Sequence, residues 1–322
     1  MSLLVVEGLR VRLPASAGTV TVVDGIDYEV QPGEIFGFAG ESGSGKTIAM
    51  LALLGLLPDR STVEGSVRFA GQPLLDLPRR RLREIAGRDL AMVFQDPFTS
   101  LHPMLSLGSQ LTDHIRLHLG LDRRSAEKRA VDLLRDVRIP DPHSALVAFP
   151  HQFSGGMRQR IAIAIALACG PKLLIADEPT TALDVTVQAG ILRLLDRLRR
   201  EHGLAVVLIT HDLGVLSSIA DTVSILYAGR IVESGPREDI LPRPRHPYTR
   251  ALLAALPHPE ATQEKPLVAI GGSPPSPGIV PQGCAFHPRC SYAVDSCHVE
   301  VPALTPTSGR RLACPVDPLR EP

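Results

Sequence analysis

A glycine-rich stretch between an apolar strand and an apolar helix constrains the fold of this chain more than any other feature. It fits the pattern G-x-x-x-x-G-K-[ST], with the residues Gly40, Glu41, Ser42, Gly43, Ser44, Gly45, Lys46 and Thr47. Residues 34–39 read as a short buried strand, and residues 48–57 as the helix that follows. The glycines let backbone N–H groups surround phosphates, Lys46 supplies a positive charge, and Thr47 is placed to bind Mg²⁺. The chain is therefore predicted to bind a nucleoside triphosphate.

Composition limits the other classes of protein. The chain has 322 residues, about the length of two domains, and 44% hydrophobic residues, enough for a substantial core. Lys+Arg and Asp+Glu are both 34, so no overall basic field is present to hold nucleic acid. No apolar run reaches the roughly 18 residues of a membrane span, and residues 1–13 do not resemble a signal peptide. We expect a globular cytoplasmic protein whose five cysteines are not disulfide-bonded.

Several predicted strands flank the glycine-rich stretch. Alternating apolar and polar residues over 3–13 and 20–30 predict antiparallel strands of a small β-subdomain. A buried strand over residues 90–94 ends at Gln95. Ligands bind at the carboxyl ends of strands in open α/β sheets, so Gln95 is placed to contact Mg²⁺ or the attacking water. A structural role for Gln95 in capping a turn stays open.

Helical periodicity replaces this pattern from Gly108 to about Ala168 and predicts a helical insertion. Within it, Ser154 is a good N-cap for a strongly helical run, and Gly155 and Gly156 occupy the first turn. Their exposed backbone N–H groups are suited to an approaching anion. The alternative is an ordinary capped helix whose glycines permit close packing.

Two carboxylates and a histidine follow the next two apolar strands. Residues 172–176 lead into Asp177 and Glu178, an arrangement by which phosphate-loop enzymes hold Mg²⁺ and activate water. Asp177 suits the surroundings of the metal, and Glu178 is a candidate general base. His211 follows the strand over residues 204–210 and is placed to bond the γ-phosphate and the base, although a lone histidine is more often structural.

Taken together, these residues resemble the ATP-binding subunits of ABC transporters over about residues 3–234. The resemblance implies an α/β P-loop ATPase with an antiparallel β-subdomain and a helical subdomain at about 97–168, all within residues 1–256. Its motifs are Gln95 as the Q-loop, Ser154-Gly155-Gly156-Met157 as the signature, Asp177-Glu178 as Walker B, Ala182-Leu183-Asp184 as the D-loop and His211 as the switch histidine. The signature is then expected at the ATP bound by a second subunit, and Asp184 is expected among the ATP-binding residues. Relatives often stack an aromatic residue on adenine, whereas the nearest equivalents here are Thr19 and Val20.

A narrower resemblance is to the ATPases of dipeptide and oligopeptide importers, a group that includes nickel and glutathione systems. It is carried by residues 98–103, 153–160, 178–188 and 246–253. It implies ATP hydrolysis coupled to peptide import, with the chain peripheral on the cytoplasmic face of the cell membrane. The implied partners are two permease subunits, an identical or related second ATPase subunit and an extracytoplasmic solute-binding protein. Residues 97–107 are a candidate permease-docking surface. Import of nickel or another small solute, and a non-transport ABC ATPase, stay as alternatives.

Residues 257–322 read as a C-terminal extension, with a Pro-, Gly- and Ser-rich linker before a cysteine-bearing module. Four thiolates can hold a [4Fe–4S] cluster or Zn²⁺, and metal-free thiols are the third option. The four cysteines are Cys284, Cys290, Cys297 and Cys314. Close C-x₂₋₄-C pairs typical of zinc are absent, and residues 283–290 resemble importer tails that carry an iron–sulfur cluster. Cys169 is expected to be a core residue, and no residue of the extension is expected at the nucleotide site.

Overall fold

The structure, a computed structural model, describes residues 1–16, 18–96, 100–181, 183–256 and 270–320. Residues 97–99 of the predicted docking surface, Ala182 of the predicted D-loop and residues 257–269 of the predicted linker lie outside the described residues. The strands are β1 (Leu4–Ala15), β2 (Gly18–Val30), β3 (Ile35–Ala39), β4 (Thr62–Phe69), β5 (Gln72–Pro73), β6 (Leu90–Val93), β7 (Leu173–Asp177), β8 (Ala205–Ile209), β9 (Thr222–Tyr227), β10 (Arg230–Pro236), β11 (Thr305–Thr307) and β12 (Arg310–Leu312). The helices are α1 (Lys46–Leu54), α2 (Arg79–Ile85), α3 (Leu107–Leu119), α4 (Arg123–Asp136), α5 (Pro142–Val147), α6 (Gly155–Ala166), α7 (Val185–His202), α8 (Leu213–Ile219), α9 (Arg237–Ile240) and α10 (Pro247–Ala254).

The chain forms two compact units. The first contains Met1–Gln31, Ile35–Asp76 and Ile209–Pro322, and the second contains Pro32–Glu34 and Leu77–Leu208. No helix among the described residues is long and apolar enough to cross a membrane.

The first unit contains an antiparallel sheet and part of a mixed sheet. The antiparallel sheet that the alternating pattern predicts has the order β2-β1-β4-β5, and Leu4, Val6 and Val11 of β1 are buried. The mixed part has the order β11-β12-β10-β9-β3, with β3 and β9 parallel. Antiparallel pairing joins β9 to β10 and β10 to β12, so the end of the chain adds two short strands to this sheet.

A buried ion pair attaches these last strands. Glu233 on β10 is fully buried, and its carboxylate accepts from Arg310 Nη1 at 3.0 Å. The same carboxylate accepts from the backbone N–H groups of Arg245 and His246, at 2.9 and 3.1 Å. A buried carboxylate is tolerated only with such partners, so the β12 arginine is required by the β10 glutamate.

The second unit contains the strand order β8-β7-β6 and most of the helices. β7 and β8 are buried along their whole length, and β6 runs parallel to β7. Such continuous apolar strands are typical of parallel sheets covered on both faces. Helices α3 to α6 occupy the region where helical periodicity predicts them, and Leu107, Leu111 and Ile115 form the buried stripe of α3.

Candidate nucleotide-binding and hydrolysis site

The glycine-rich stretch connects the buried strand β3 to the start of α1, as predicted. The backbone φ angles of Gly40 and Gly45 are 150° and 101°, conformations that residues with a Cβ rarely adopt. A Cβ on Gly40 would lie 2.2 Å from Leu226 O, and one on Gly45 would lie 2.8 Å from Val22 O. These glycines therefore let the loop pack directly against neighbouring backbone. The helix begins at Lys46, earlier than predicted, and Gly55 ends it with a φ of 65°.

Lys46 is held inside the loop by the loop's own oxygen atoms. Its side chain donates from Nζ to Gly40 O at 2.8 Å, to Glu41 O at 2.9 Å and to Ser44 Oγ at 3.2 Å. Lys46 is only 6% exposed. The ammonium group is therefore fixed over the loop, at the start of a helix whose first N–H groups favour an anion. Thr47, the predicted Mg²⁺ ligand, is the second residue of this helix.

His211 lies beside the phosphate loop in the first unit. Thr210 N donates to Phe38 O of β3 at 3.0 Å, so His211 follows at the end of β3 from which the loop starts. Its side chain is exposed, and Asp212 caps α8 by accepting from Gly214 N at 2.7 Å. This position agrees with the predicted placement of His211 at the carboxyl end of a strand.

In the second unit the structure brings Gln95 and Glu178 together. Gln95 Nε2 donates to Glu178 Oε2 at 3.1 Å, and Thr181 Oγ1 donates to the same oxygen at 2.8 Å. Asp177 is the last residue of β7 and is buried. Glu178 has a φ of 45°, a left-handed conformation that is uncommon outside glycine and is often found at functional sites. The carboxylate is thus held by two polar side chains at the end of a buried strand.

The signature glycines have different surroundings. Ser154 caps α6 by accepting from Met157 N at 3.4 Å, as predicted. A Cβ on Gly155 would meet Leu183 Cδ2 at 3.6 Å, an ordinary contact. A Cβ on Gly156 would lie 2.5 Å from Val187 Cγ1, which is too close for real Cβ atoms. Close packing against Val187 therefore explains why position 156 is a glycine, whereas position 155 has room for a larger side chain.

The Asp184 side chain caps the start of α7. Its carboxylate accepts from Thr186 Oγ1 at 2.6 Å and from Val187 N at 2.9 Å. These hydrogen bonds hold the pKa of Asp184 below its ordinary value, so the group is ionised near neutral pH. The same helix start supplies both Asp184 and the Val187 side chain that packs against Gly156.

The four cysteines of the extension are free thiols in the first unit, and Cys297 is buried. Burial raises the pKa of the Cys284, Cys290 and Cys314 thiols, and the neighbouring cysteines raise it further. Among the described residues, however, no three His, Cys, Asp or Glu side chains are arranged to hold a metal ion. The predicted metal site is therefore not supported by the structure. Cys169 is 9% exposed and is a core residue, as predicted.

The extension contacts the nucleotide-binding loop, although the sequence assigns none of its residues to the nucleotide site. The Arg289 guanidinium donates from Nη1 and Nη2 to both carboxylate oxygens of Glu41, at 2.7 and 3.0 Å. Close to Val20, a Cβ on Gly278 would lie 2.9 Å from Val20 Cγ1. The extension therefore packs on the phosphate loop and on β2. No periodicity or motif could reveal these contacts, because the partners are separated by 248 positions in the case of Arg289.

The fold and these sites define an ABC-type ATPase. The ABC transporter family matches residues 23–181. Among solved structures, the chain is similar to the post-hydrolysis dimer of the ATP-binding cassette MJ0796 bound to ADP and Pi. That similarity has a TM-score of 0.65 and 27% identity, and it covers 73% of this chain and 98% of the cassette.

Residues 232–297 show which group of ABC transporter proteins the chain is similar to. The C-terminal region of the oligopeptide/dipeptide transporter family matches residues 232–297. The chain is 46% identical to the oligopeptide transport ATP-binding protein OppD of Haemophilus influenzae, over 94% of this chain and 93% of the relative. It is also 46% identical to the dipeptide transport ATP-binding protein DppD of Escherichia coli, over 98% and 96%. The chain belongs to this family of ABC transporter ATP-binding proteins.

Proposed function

We propose that the chain is the ATP-hydrolysing, energy-coupling subunit of an importer for dipeptides or oligopeptides. The phosphate loop carries this proposal, because it holds a buried lysine at a helix start, and relatives named for peptide transport match nearly the whole chain. Import of nickel or another small solute is the alternative solute class. Nothing in the described residues favours a non-transport role over these.

Each site residue has a proposed task in hydrolysis. Lys46 and the backbone N–H groups of the loop bind the phosphates, and Thr47, Gln95 and Asp177 hold Mg²⁺, which offsets the charge that develops on the phosphoryl group. Glu178 orients the attacking water, and His211 bonds the γ-phosphate. The hydrogen bond from Gln95 to Glu178 supports the assignment of the glutamate, since it fixes a carboxylate at a strand end without neutralising it.

A second ATPase subunit, identical or related, is proposed to complete the site. One chain would present its phosphate loop, and the other would present Ser154, Gly155 and Gly156 with Asp184. ATP-driven closure of this pair would move two permease subunits, to which an extracytoplasmic solute-binding protein delivers the solute, at the cytoplasmic face of the membrane.

We further propose residues 1–256 as the ATPase domain, with its helical subdomain at about 97–168, and residues 257–322 as the extension. Within the candidate docking surface, Leu101 and Leu107 are buried, whereas Met104 and Leu105 are 77% and 44% exposed. The exposed pair is the part of this surface proposed to contact a permease, because large apolar side chains exposed together are typical of interaction sites.

For the extension we propose a [4Fe–4S] cluster held by the four cysteines, with Zn²⁺ as the alternative. Support comes from the donor set, since four free thiols lie in one short extension of the first unit. A cubane is larger than one ion, so its four thiolates stand further apart than the ligands of a zinc tetrahedron. Among the described residues no three donors are grouped to hold a metal ion, which supports neither assignment.

The test of hydrolysis is Glu178→Gln in the full chain. The amide keeps the shape of the side chain but loses the charge that orients water, so ATP binding should persist while turnover falls at least a hundredfold, as for other lost catalytic bases, roughly 10²–10⁴-fold. Binding is measured by calorimetry and turnover by phosphate release. Turnover close to wild type would show that Glu178 is not the catalytic carboxylate.

The test of import is reconstitution of the chain with its permease subunits and solute-binding protein in vesicles. ATP-dependent uptake of a labelled dipeptide, lost in Lys46→Ala, is the expected result. Uptake of Ni²⁺ without peptide uptake would favour the alternative solute class, and ATP hydrolysis unaffected by the permeases would contradict a transport role.

A further inference from the structure

Arg289 connects the cysteine-bearing extension to the phosphate loop. It ends the short 3₁₀ helix His287–Arg289, immediately before Cys290. Its guanidinium binds both carboxylate oxygens of Glu41, and Nη1 also donates to Tyr227 Oη at 3.2 Å. Nε donates to Gly271 O at 2.8 Å. Such a planar two-pronged contact fixes orientation as well as distance, which a lysine could not reproduce.

This contact differs from an ordinary surface ion pair. The Arg289 side chain is 5% exposed, and the Glu41 side chain is 24% exposed. The guanidinium carbon lies 5.8 and 5.9 Å from the ring centroids of Tyr227 and Phe286. These two rings pack with Tyr248 at centroid distances of 4.5 to 5.3 Å. Exposed pairs contribute little because water and salt compete for them, whereas this arginine is enclosed by aromatic rings.

Glu41 is held through each of its polar groups. Its backbone N–H donates to Tyr248 Oη at 2.8 Å, and its carbonyl accepts from Lys46 Nζ at 2.9 Å. Its carboxylate is bound by Arg289. Any movement of Glu41 therefore moves the carbonyl that holds the phosphate-binding lysine. Arg289 thus acts on Lys46 through one residue of the loop.

Arg289 also faces the negative charge of Glu41, in addition to holding that residue in place. A carboxylate in the loop that receives a triphosphate repels the ligand, and the repulsion is strong in a partly buried site. A guanidinium bound to both carboxylate oxygens cancels this charge without occupying the space of the phosphates.

We propose that Arg289 is a positioning residue for ATP binding, which holds Glu41 in place and offsets its charge, so that the extension sets the affinity of the phosphate loop for ATP. This inference rests on the ATP-binding function proposed above. It gives the extension a direct role in the nucleotide site, independent of any metal it carries.

The test is the dissociation constant for ATPγS of the full chain, measured by calorimetry. Arg289→Ala should weaken binding on the order of 5- to 150-fold, the usual range for coupled sites, while kcat at saturating ATP changes much less than KM. Arg289→Lys should lie in between, since it keeps the charge and loses the two-pronged geometry. Adding Glu41→Gln to Arg289→Ala should recover part of the affinity, because the unpaired carboxylate is removed.

Arg311→Ala is the matched control. Arg311 belongs to the same extension, but its guanidinium contacts Asp27 of β2, donating to the Asp27 carbonyl at 2.9 Å and lying 3.8 Å from the Asp27 carboxylate, so its loss should leave the dissociation constant unchanged. Wild-type affinity in both Arg289→Ala and Arg289→Lys would overturn the proposal. Weak binding that Glu41→Gln does not improve would also overturn it, since a general effect on folding of the extension would behave in that way. If the wild-type chain itself binds no ATPγS, the proposed function fails instead.

Discussion

Replacing Gly156 by alanine tests whether the signature helix start is shaped by packing. The new Cβ would lie 2.5 Å from Val187 Cγ1, about 1.0–1.5 Å inside the roughly 3.5–4.0 Å of a normal carbon contact. Valine has a stiff side chain in a helix, so the start of α7 must shift rather than the side chain alone. Overpacking of this kind costs about 1–3 kcal/mol. Gly155→Ala meets only an ordinary contact at 3.6 Å and should be neutral, or stabilising by up to about 1 kcal/mol.

Thermal unfolding and phosphate release, measured together, distinguish close packing of Gly156 from a role of both glycines in leaving backbone N–H groups open to an anion. Gly156→Ala should lower the unfolding midpoint by about 4 °C per kcal/mol for a unit of this size, and it should slow ATP turnover because Asp184 caps the displaced helix. The double variant Gly156→Ala/Val187→Ala should recover most of both losses, because it removes the methyl groups that clash. Neither Gly156→Ala nor Gly155→Ala removes a backbone N–H, so the two variants differ chiefly in their contacts. The packing explanation would be refuted if both lost activity equally and Val187→Ala restored neither.

Three other expectations can be checked independently. Burial lowers the pKa of His246 to about 3, and since the unfolded chain takes up the proton near pH 6.5, the free energy of unfolding should fall below that pH, by about 2 kcal/mol at pH 5. Calorimetry at pH 7 and pH 5 should show a loss that is larger in the wild type than in His246→Asn by about this amount. Mixing Ser154→Arg with Lys46→Ala chains should restore binding of one ATP per mixed dimer, and unchanged ATP stoichiometry in a Ser154→Arg monomer would contradict the shared site. Protein purified without oxygen should be brown with about four irons per chain, lost in Cys290→Ser and kept in Cys169→Ser. Zinc without iron would exclude the cluster, and no metal would exclude both assignments.

The parts of the site that sequence reasoning predicted are those encoded by short patterns. The phosphate loop has its own spacing, and Gln95 and Glu178 each follow an apolar strand, so their meeting at one sheet edge could be expected. The role of Gly156 in packing could not be predicted, because it depends on the Val187 side chain of α7, another helix. The link between Arg289 and Glu41 was also hidden, since it depends on how the extension packs rather than on any local pattern.

Because of the way the extension packs, its removal should cost more stability than the loss of a loosely attached tail. Without β12, the fully buried carboxylate of Glu233 loses Arg310, and breaking a buried ion pair by removing one partner costs about 3–5 kcal/mol. The backbone N–H groups of Arg245 and His246 would still bind that carboxylate, and they lead directly into α10, where Tyr248 holds the phosphate loop through Glu41. Loss of the extension should therefore disturb the loop in two ways, through Glu233 and through the missing Arg289. The cysteine-bearing extension is thus part of the structure that prepares the loop for ATP.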